Sequence, residues 1–296
     1  MVKLLAERDD VDTDSKDAFG QTPLSTAAEG GHGAVVTLLA ERDDVDADSK
    51  DNLGRTPLSI AARRGHEAVV KLLVERDDVD ADSKDVYGQT PLSTAAEGGH
   101  EAMVRVLAER DDVDADSKDN LGRTSLSIAA QRGHEAVVEL LAERDDVDAD
   151  SKDDYGQTPL STAAEEGHEA VVTLLAEQDD VDADSKDNDG RTLLLLPAWG
   201  GHEAVVKLLA ERDDVDANSK DNRGRTPLRM AARRGHEAVV KLLVERNDVD
   251  ADSKDNDGQT PLSTAVWGGH GTVVKLLRSK IISETKRSLP PCATAN

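Results

Sequence analysis

Aromatic side chains make up only 2% of this 296-residue sequence, and they are Phe19, Tyr87, Tyr155, Trp199 and Trp267. One or two ordinary globular domains of that length would draw on many more rings to fill their interiors, so a conventional thick core is excluded. Cysteine is nearly absent as well. Cys292 stands alone near the C-terminus, which rules out an intrachain disulfide and a cysteine-based zinc site. A reducing, intracellular compartment is expected, the cytoplasm first, with the nucleus left open. Long apolar runs are missing too. The longest aliphatic stretch, Leu193 to Leu196, falls far short of a membrane span, and the opening MVKLLAERDD turns charged too soon for a signal peptide. Basic charge is in deficit, with 36 Lys and Arg against 61 Asp and Glu and a net charge of −25. Neutralising nucleic-acid phosphate needs clustered cations, and an anionic membrane surface is disfavoured for the same reason.

High charge with low mean hydropathy also fits a disordered chain. Order within the sequence argues against that. All eight histidines fall on one lattice, His32, His66, His100, His134, His168, His202, His236 and His270, each 34 residues after the last. Gly20, Gly54, Gly88, Gly122, Gly156, Gly190, Gly224 and Gly258 obey the same interval. Eight units follow, at 17–50, 51–84, 85–118, 119–152, 153–186, 187–220, 221–254 and 255–288. A period of this size means a solenoid, where each unit buries its apolar face only against its neighbours. Large core aromatics are then unnecessary.

Unit 51–84 reads DNLGRTPLSIAARRGHEAVVKLLVERDDVDADSK. Thr56 before Pro57 is a helix start, a hydroxyl cap followed by a residue whose missing N–H does no harm. Leu58, Ala61 and Ala62 give this helix a short apolar face with small residues, and Gly65 breaks it. A second helix is expected from near His66, with Ala68, Val69, Leu72 and Leu73 as its stripe. After Arg76 the pattern becomes an Asp-rich turn running into the next unit.

Residues 51 to 73 resemble ankyrin repeats, following the pattern D-x-x-G-x-T-P-L, A-A, G-H, V-V, L-L almost letter for letter. The resemblance covers residues 17 to about 278 and implies an all-α ankyrin-type solenoid of helix-turn-helix units with projecting β-turn or hairpin loops. Three departures stand out. Ser25, Ser59, Ser93, Ser127, Ser161 and Ser263 replace the usual His after T-P-L, which questions the polar network at that position. The unit is one residue longer than usual, and its R-D-D-V-D-A-D-S-K loop lacks glycine. Repeat six, RTLLLLPAWGGH, loses the helix-start Pro and gains Pro197 further in. An interior Pro costs up to about 3 kcal/mol, so repeat six is the expected weak joint. Residues 1–16 match only the second half of a unit and look like a repeat cut in two, from which an array continuing upstream is expected. Unit 255–288 drops the acidic loop for a basic extension, a divergent C-terminal cap, with residues 289–296 expected to be a disordered tail.

Catalytic and metal readings fail on the same lattice. Each His occupies one helix-entry position, so the histidines read as polar groups closing the turn rather than as ligands. GHEAVV opens like H-E-x-x-H, but Val70 stands where the second His would be after His66. Asp44, Asp46 and Asp48 begin like a calcium loop, yet Ser49 replaces the needed Gly and Arg55 the bidentate Glu. No phosphate-cradling G-x-x-x-x-G-K-[ST] occurs, nor any set of nucleophile, base and orienter. The chain is therefore expected to be no enzyme and to need no cofactor or metal.

What remains is surface. In ankyrin arrays, the resemblance implies, partners bind the projecting turn and the end of the first helix, at positions two, three, five, thirteen and fourteen of each unit. All five aromatics fall there. Phe19, Tyr87 and Tyr155 take position three of repeats one, three and five, and Trp199 and Trp267 take position thirteen of repeats six and eight. Aromatics and Arg dominate binding energy at interfaces, although an exposed ring could equally pack on its neighbouring repeat. Acids also alternate with bases along this face. Glu29, Glu97 and Glu165 end the first helices of repeats one, three and five, whereas Arg63 with Arg64, Arg132, and Arg233 with Arg234 end those of repeats two, four and seven. Either a banded binding face or Glu–Arg pairing between neighbouring repeats explains this. Charge is uneven as well, with repeat five strongly acidic and repeats seven and eight net basic.

These observations lead to a monomeric, non-catalytic scaffold that binds a protein partner, with neither nucleic acid nor membrane involved. The candidate contacts are Phe19, Tyr87, Tyr155, Trp199, Arg225, Arg233, Arg234 and Trp267. Trp199, Arg233, Arg234 and Trp267 are the expected hot spot for an acidic or extended segment. The alternative is the recognition or sensor portion of a larger multidomain enzyme or NTPase, and a purely elastic spacer is a third reading.

Overall fold

The structure, a computed structural model, describes residues 12–178, 181–212 and 214–288. The reading of residues 1–16 as a half repeat falls mostly outside these, and that of 289–296 as a tail falls wholly outside. Two compact units are present, residues 1–154 and 155–296. Among the described residues every element is a helix. In the first unit they run Pro23–Glu29, Gly33–Ala40, Pro57–Arg64, Glu67–Val74, Pro91–Glu97, Glu101–Ala108, Ser125–Arg132 and Glu135–Ala142. In the second they run Pro159–Glu166, Glu169–Ala176, Leu195–Gly200, Glu203–Ala210, Pro227–Arg234, Glu237–Glu245, Pro261–Trp267 and Gly271–Ser288.

Within each unit the first helix of a repeat packs on the first helix of the next, and second helices pack on second helices. Isolated helices of eight residues are unstable in water, so this lateral packing is what holds them. The buried stripe is aliphatic and small. Leu58, Ala61, Ala62, Val70 and Leu73 are wholly buried, and the alanines let neighbouring first helices approach closely.

Capping follows the sequence. Thr56 Oγ1 accepts the Ser59 N–H at 3.2 Å, with Pro57 at the first helical position. The serine that replaces the usual histidine keeps a polar network of its own, since Ser93 Oγ accepts from Thr90 N–H at 2.9 Å and donates to the Thr90 carbonyl. Gly65 ends the first helix of repeat two at φ +76°, where a Cβ would also lie 2.8 Å from the His100 ring. That histidine closes the joint between repeats, its Nε2 donating to the Arg63 carbonyl at 3.1 Å. His66, His134, His236 and His270 make the equivalent bond to the repeat before their own. These five histidines of the lattice are therefore side-chain-to-backbone rungs between neighbouring repeats.

Further ladders run through the loops. Asp51 accepts the Leu53 and Arg55 N–H groups on Oδ1 and the Arg55 guanidinium on Oδ2, shaping the projecting turn. Asn52 N–H then donates to the Phe19 carbonyl, tying one turn tip to the next. Lys16, Lys50, Lys84 and Lys118 each donate to the backbone carbonyl of the lysine 34 residues on. Arg110 Nη1 donates to the Val74 carbonyl, at the last residue of the preceding repeat's second helix, while its other edge clasps Asp112. Many loop acids thus serve as bond acceptors, which is where the calcium-like Asp triplets are spent. Asp46 Oδ1 takes the Asp48 N–H, and Asp48 Oδ2 takes the Asp80 N–H of the next repeat.

Repeat six corrects one expectation. Its first helix starts two residues late, at Leu195, and no side chain caps it. Pro197 therefore lies in the first turn, where no intrahelical N–H is required, rather than in the interior. Leu193 to Leu196 are all at most 3% exposed, so apolar burial anchors the start in place of the lost cap. The cost appears at Thr192, whose Oγ1 is buried without a partner. The last helix, Gly271–Ser288, is more than twice the usual length, as the basic extension implied.

Candidate interaction site

Positions thirteen and fourteen lie at the end of each first helix, where the helix stops and its side chains project beside the turns. In the first unit two pairs of these side chains are spent on one another, while Arg63 has no carboxylate partner among the described residues. Arg64 Nη2 meets Glu29 Oε1 at 2.6 Å and Arg132 Nη2 meets Glu97 Oε1 at 2.7 Å, both between neighbouring repeats. Gln21 and Gln89 hold the other carboxylate oxygens. The Gln21 and Arg64 bonds keep the Glu29 carboxyl below its ordinary range. Burial raises that of Glu97, but the Arg132 and Gln89 bonds outweigh it. For these pairs the Glu–Arg alternation is a neighbour-to-neighbour clasp.

The second unit breaks the pattern. Trp199 occupies position thirteen of repeat six, where a glutamate would meet Arg234. Arg234 stacks on the Trp199 ring instead, its guanidinium carbon 4.9 Å from the centroid, within the range of a favourable cation–π contact. Among the described residues neither Arg233 nor Arg234 has a carboxylate partner.

Trp199, Arg225, Met230, Arg233, Arg234 and Trp267 line one cleft of about 390 Å³. The four residues expected as a hot spot are therefore brought together, with Met230 as an apolar floor. Trp199 is half-buried, whereas Trp267 is 82% exposed. Arg225 lines the cleft too, but its guanidinium is already engaged with the buried Asp221 carboxylate at 2.5 Å. A neighbouring cleft shares Trp199, Arg225 and Met230 and adds Arg223.

The other three aromatics are placed differently. Phe19, Tyr87 and Tyr155 sit at turn tips and are 70%, 57% and 58% exposed. Their carbonyls accept the N–H of the following repeat's Asn52, Asn120 and Asn188, so the backbone beneath each ring is fixed while the ring projects.

One residue in this region escapes a sequence reading of the site. Arg229 replaces the serine found at this point in other repeats and is 6% exposed, paired with Asp255 at 2.5 Å. Its signal was the break from serine itself, which composition alone does not weigh.

Stacked helix pairs at a constant interval, with turn tips and helix ends carrying the variable side chains, define a helical-repeat solenoid whose working part is its surface. A family model for ankyrin repeats, described as three copies, matches residues 1–85, 77–153, 145–221 and 213–287. The chain belongs to the ankyrin-repeat family. A comparison with curated proteins returns no match. Ankyrin repeats are generally protein–protein interaction modules and typically non-catalytic. Among the described residues no helix is long and apolar enough to cross a membrane.

Proposed function

We propose that this chain is a non-catalytic scaffold that binds one protein partner through its turn tips and first-helix ends, with the Trp199, Arg233, Arg234 and Trp267 cleft as the principal contact. The observation that carries this reading is the absence of internal carboxylates for Arg233 and Arg234, among the described residues, beside two tryptophans in one cleft. Unpaired cations beside large rings are the composition of binding hot spots. Arg225 contributes by shape, because its charge is already balanced by Asp221. Phe19, Tyr87 and Tyr155 act as secondary contacts at the turn tips.

The test compares proteins captured from a lysate of the source organism by the wild-type chain and by the W199A/W267A double variant. A partner retained by the wild type and lost by the variant, with unchanged circular dichroism, is expected. The same partner, purified, should bind the R233A/R234A variant at least tenfold more weakly. Equal capture by wild type and by a folded W199A/W267A chain would overturn the proposal.

A further inference from the structure

Arg229 stands where six other repeats have serine, at Ser25, Ser59, Ser93, Ser127, Ser161 and Ser263. Part of the reason is local. Asp51, Asp119 and Asp221 each find an arginine four residues on, but Asp255 is followed there by Gln259. In repeat three the same arrangement, Asp85 followed by Gln89, leaves the Asp85 Oδ2 buried without a partner. Arg229 Nη2 reaches the Asp255 Oδ2 and supplies what is missing.

That accounts for one edge of the guanidinium. Arg229 Nε and Nη1 are buried and have no hydrogen-bond partner. An arginine cannot shed its proton to escape such a position, and a buried charged donor left unmade is costly. Burial works against the Arg229 charge, Asp255 supports it, and Arg233 and Arg225 work against it again. The residue also lines a cleft of about 360 Å³ together with Arg233, Asp257, Gln259, Thr264 and Trp267.

We propose that this cleft takes one carboxylate side chain from an extended acidic segment of the partner, with Arg229 as the residue that selects it. The proposal rests on the reading of this face as the partner-binding surface and adds the chemistry it recognises. Arg233 supplies a second cation without an internal carboxylate, and Trp267 supplies a ring on which the methylenes of a glutamate can lie. Asp257 in the same wall limits the negative charge the cleft accepts, which favours a singly charged carboxylate over a doubly charged phosphate. The Arg229 donors are shielded from solvent, so an acceptor reaches them when an exposed neighbour swings aside. Arg233 and Trp267 are both exposed and have room to do so.

Trp199 and Trp267 are the two tryptophans of the whole chain, and both line this region. Intrinsic tryptophan fluorescence therefore reports on it alone. The full chain is titrated with a hexaglutamate peptide blocked at both ends, with hexaglutamine and inorganic phosphate as separate arms. A saturable change with hexaglutamate is expected, at least tenfold weaker in R229S and in R229K. The serine variant restores a residue that six repeats already fold around, and the lysine variant keeps the charge without the guanidinium donors. R63A, the equivalent of Arg233 in repeat two, should leave the titration unchanged. No saturable response, wild-type binding by R229S, or phosphate binding as tight as the peptide would each overturn the assignment. If W199A/W267A loses the partner while hexaglutamate gives no response, the carboxylate subsite falls and the location of the binding surface stands.

Discussion

Repeats two and seven end their first helices with the same Arg-Arg pair, and the second arginine of each has a different fate. Arg64 closes on Glu29 of the repeat before it, whereas Arg234 finds Trp199 at the corresponding position and lies across its ring. A single difference, glutamate or tryptophan at position thirteen of the preceding repeat, separates an arginine neutralised by a carboxylate from one stacked on a ring. Exposed ion pairs are worth only about 0–1 kcal/mol, so the first unit gains little stability from its clasps. Their larger effect is to remove charge from the surface, and the second unit lacks that neutralisation where its tryptophans stand.

The sharpest way to break this comparison is to make repeat six resemble repeat one. Trp199→Glu gives Arg234 the carboxylate that Arg64 has and removes a ring from the cleft. Partner affinity should fall by about 2–4 kcal/mol, the usual size of a tryptophan hot spot, with little change in melting temperature. Titration calorimetry against the captured partner reads this directly, and undiminished affinity would separate the cleft from binding.

Caps give the next contrast. Thr56→Val should destabilise the chain by about 1 kcal/mol, since the Thr56 hydroxyl caps a helix. Thr192→Val should be neutral or stabilising, because the Thr192 hydroxyl is buried and caps nothing. Denaturant melts of the two variants should shift in opposite directions or, at the least, by unequal amounts.

The loops supply a third comparison of similar size. Asp82 accepts the Asp114 N–H on Oδ2, but its Oδ1 is buried and bare. Repeat six has Asn218 at this position, which accepts from Asp250 N–H and also donates to the Asp248 carbonyl at 2.6 Å. Asp82→Asn should therefore stabilise by about 1 kcal/mol near neutral pH. Burial first, and neighbouring acids after it, raise the Asp82 carboxyl above its ordinary value. A raised folded value means that wild type gains stability as pH falls through it, so the advantage of the variant should shrink in mild acid. Asp78, held low by its bond to Arg76, runs the other way: its contribution is present above its unfolded value and is lost as pH falls through its folded value. Thermal melts across that pH range separate the two, and a D82N advantage independent of pH would contradict a raised Asp82 carboxyl.

Salt should have the smallest effect. A net charge of −25 predicts a melting temperature that rises modestly with screening. The rise should be less than stacked Asp43, Asp44, Asp46 and Asp48 columns alone would give, because Arg42, Arg76 and Arg110 already clasp one acid in their own loops. A melting temperature that falls with salt would mean that these clasps outweigh the repulsion.

Much of this was legible in the residues. In unit 51–84 the Thr-Pro start, the Gly stop and the second-helix start near His66 were legible because caps and turns act locally, but the buried stripe of the second helix is Val69, Val70 and Leu73, with Ala68 exposed and Leu72 half-buried. The place of Pro197 within the first helix of repeat six was not legible, because a missing cap moves the helix start and where it moves depends on how Leu193 to Leu196 bury. That Trp199, Arg233, Arg234 and Trp267 lie together was reachable from position alone. Arg229 was not, because its burial, its bond to Asp255 across a repeat boundary and its two unmatched donors exist only once the repeats are stacked.

The sequence by itself determined the period and the helix pairs, through capping chemistry and spacing repeated eight times, while its resemblance to ankyrin repeats supplied the family and implied the face that carries rings and charges. The tertiary structure alone decided which charges are spent. Position thirteen of one repeat meets position fourteen of the next at a distance of 35 residues in the chain, and whether two side chains so far apart clasp, stack or stay available is settled only by the packing that brings them together.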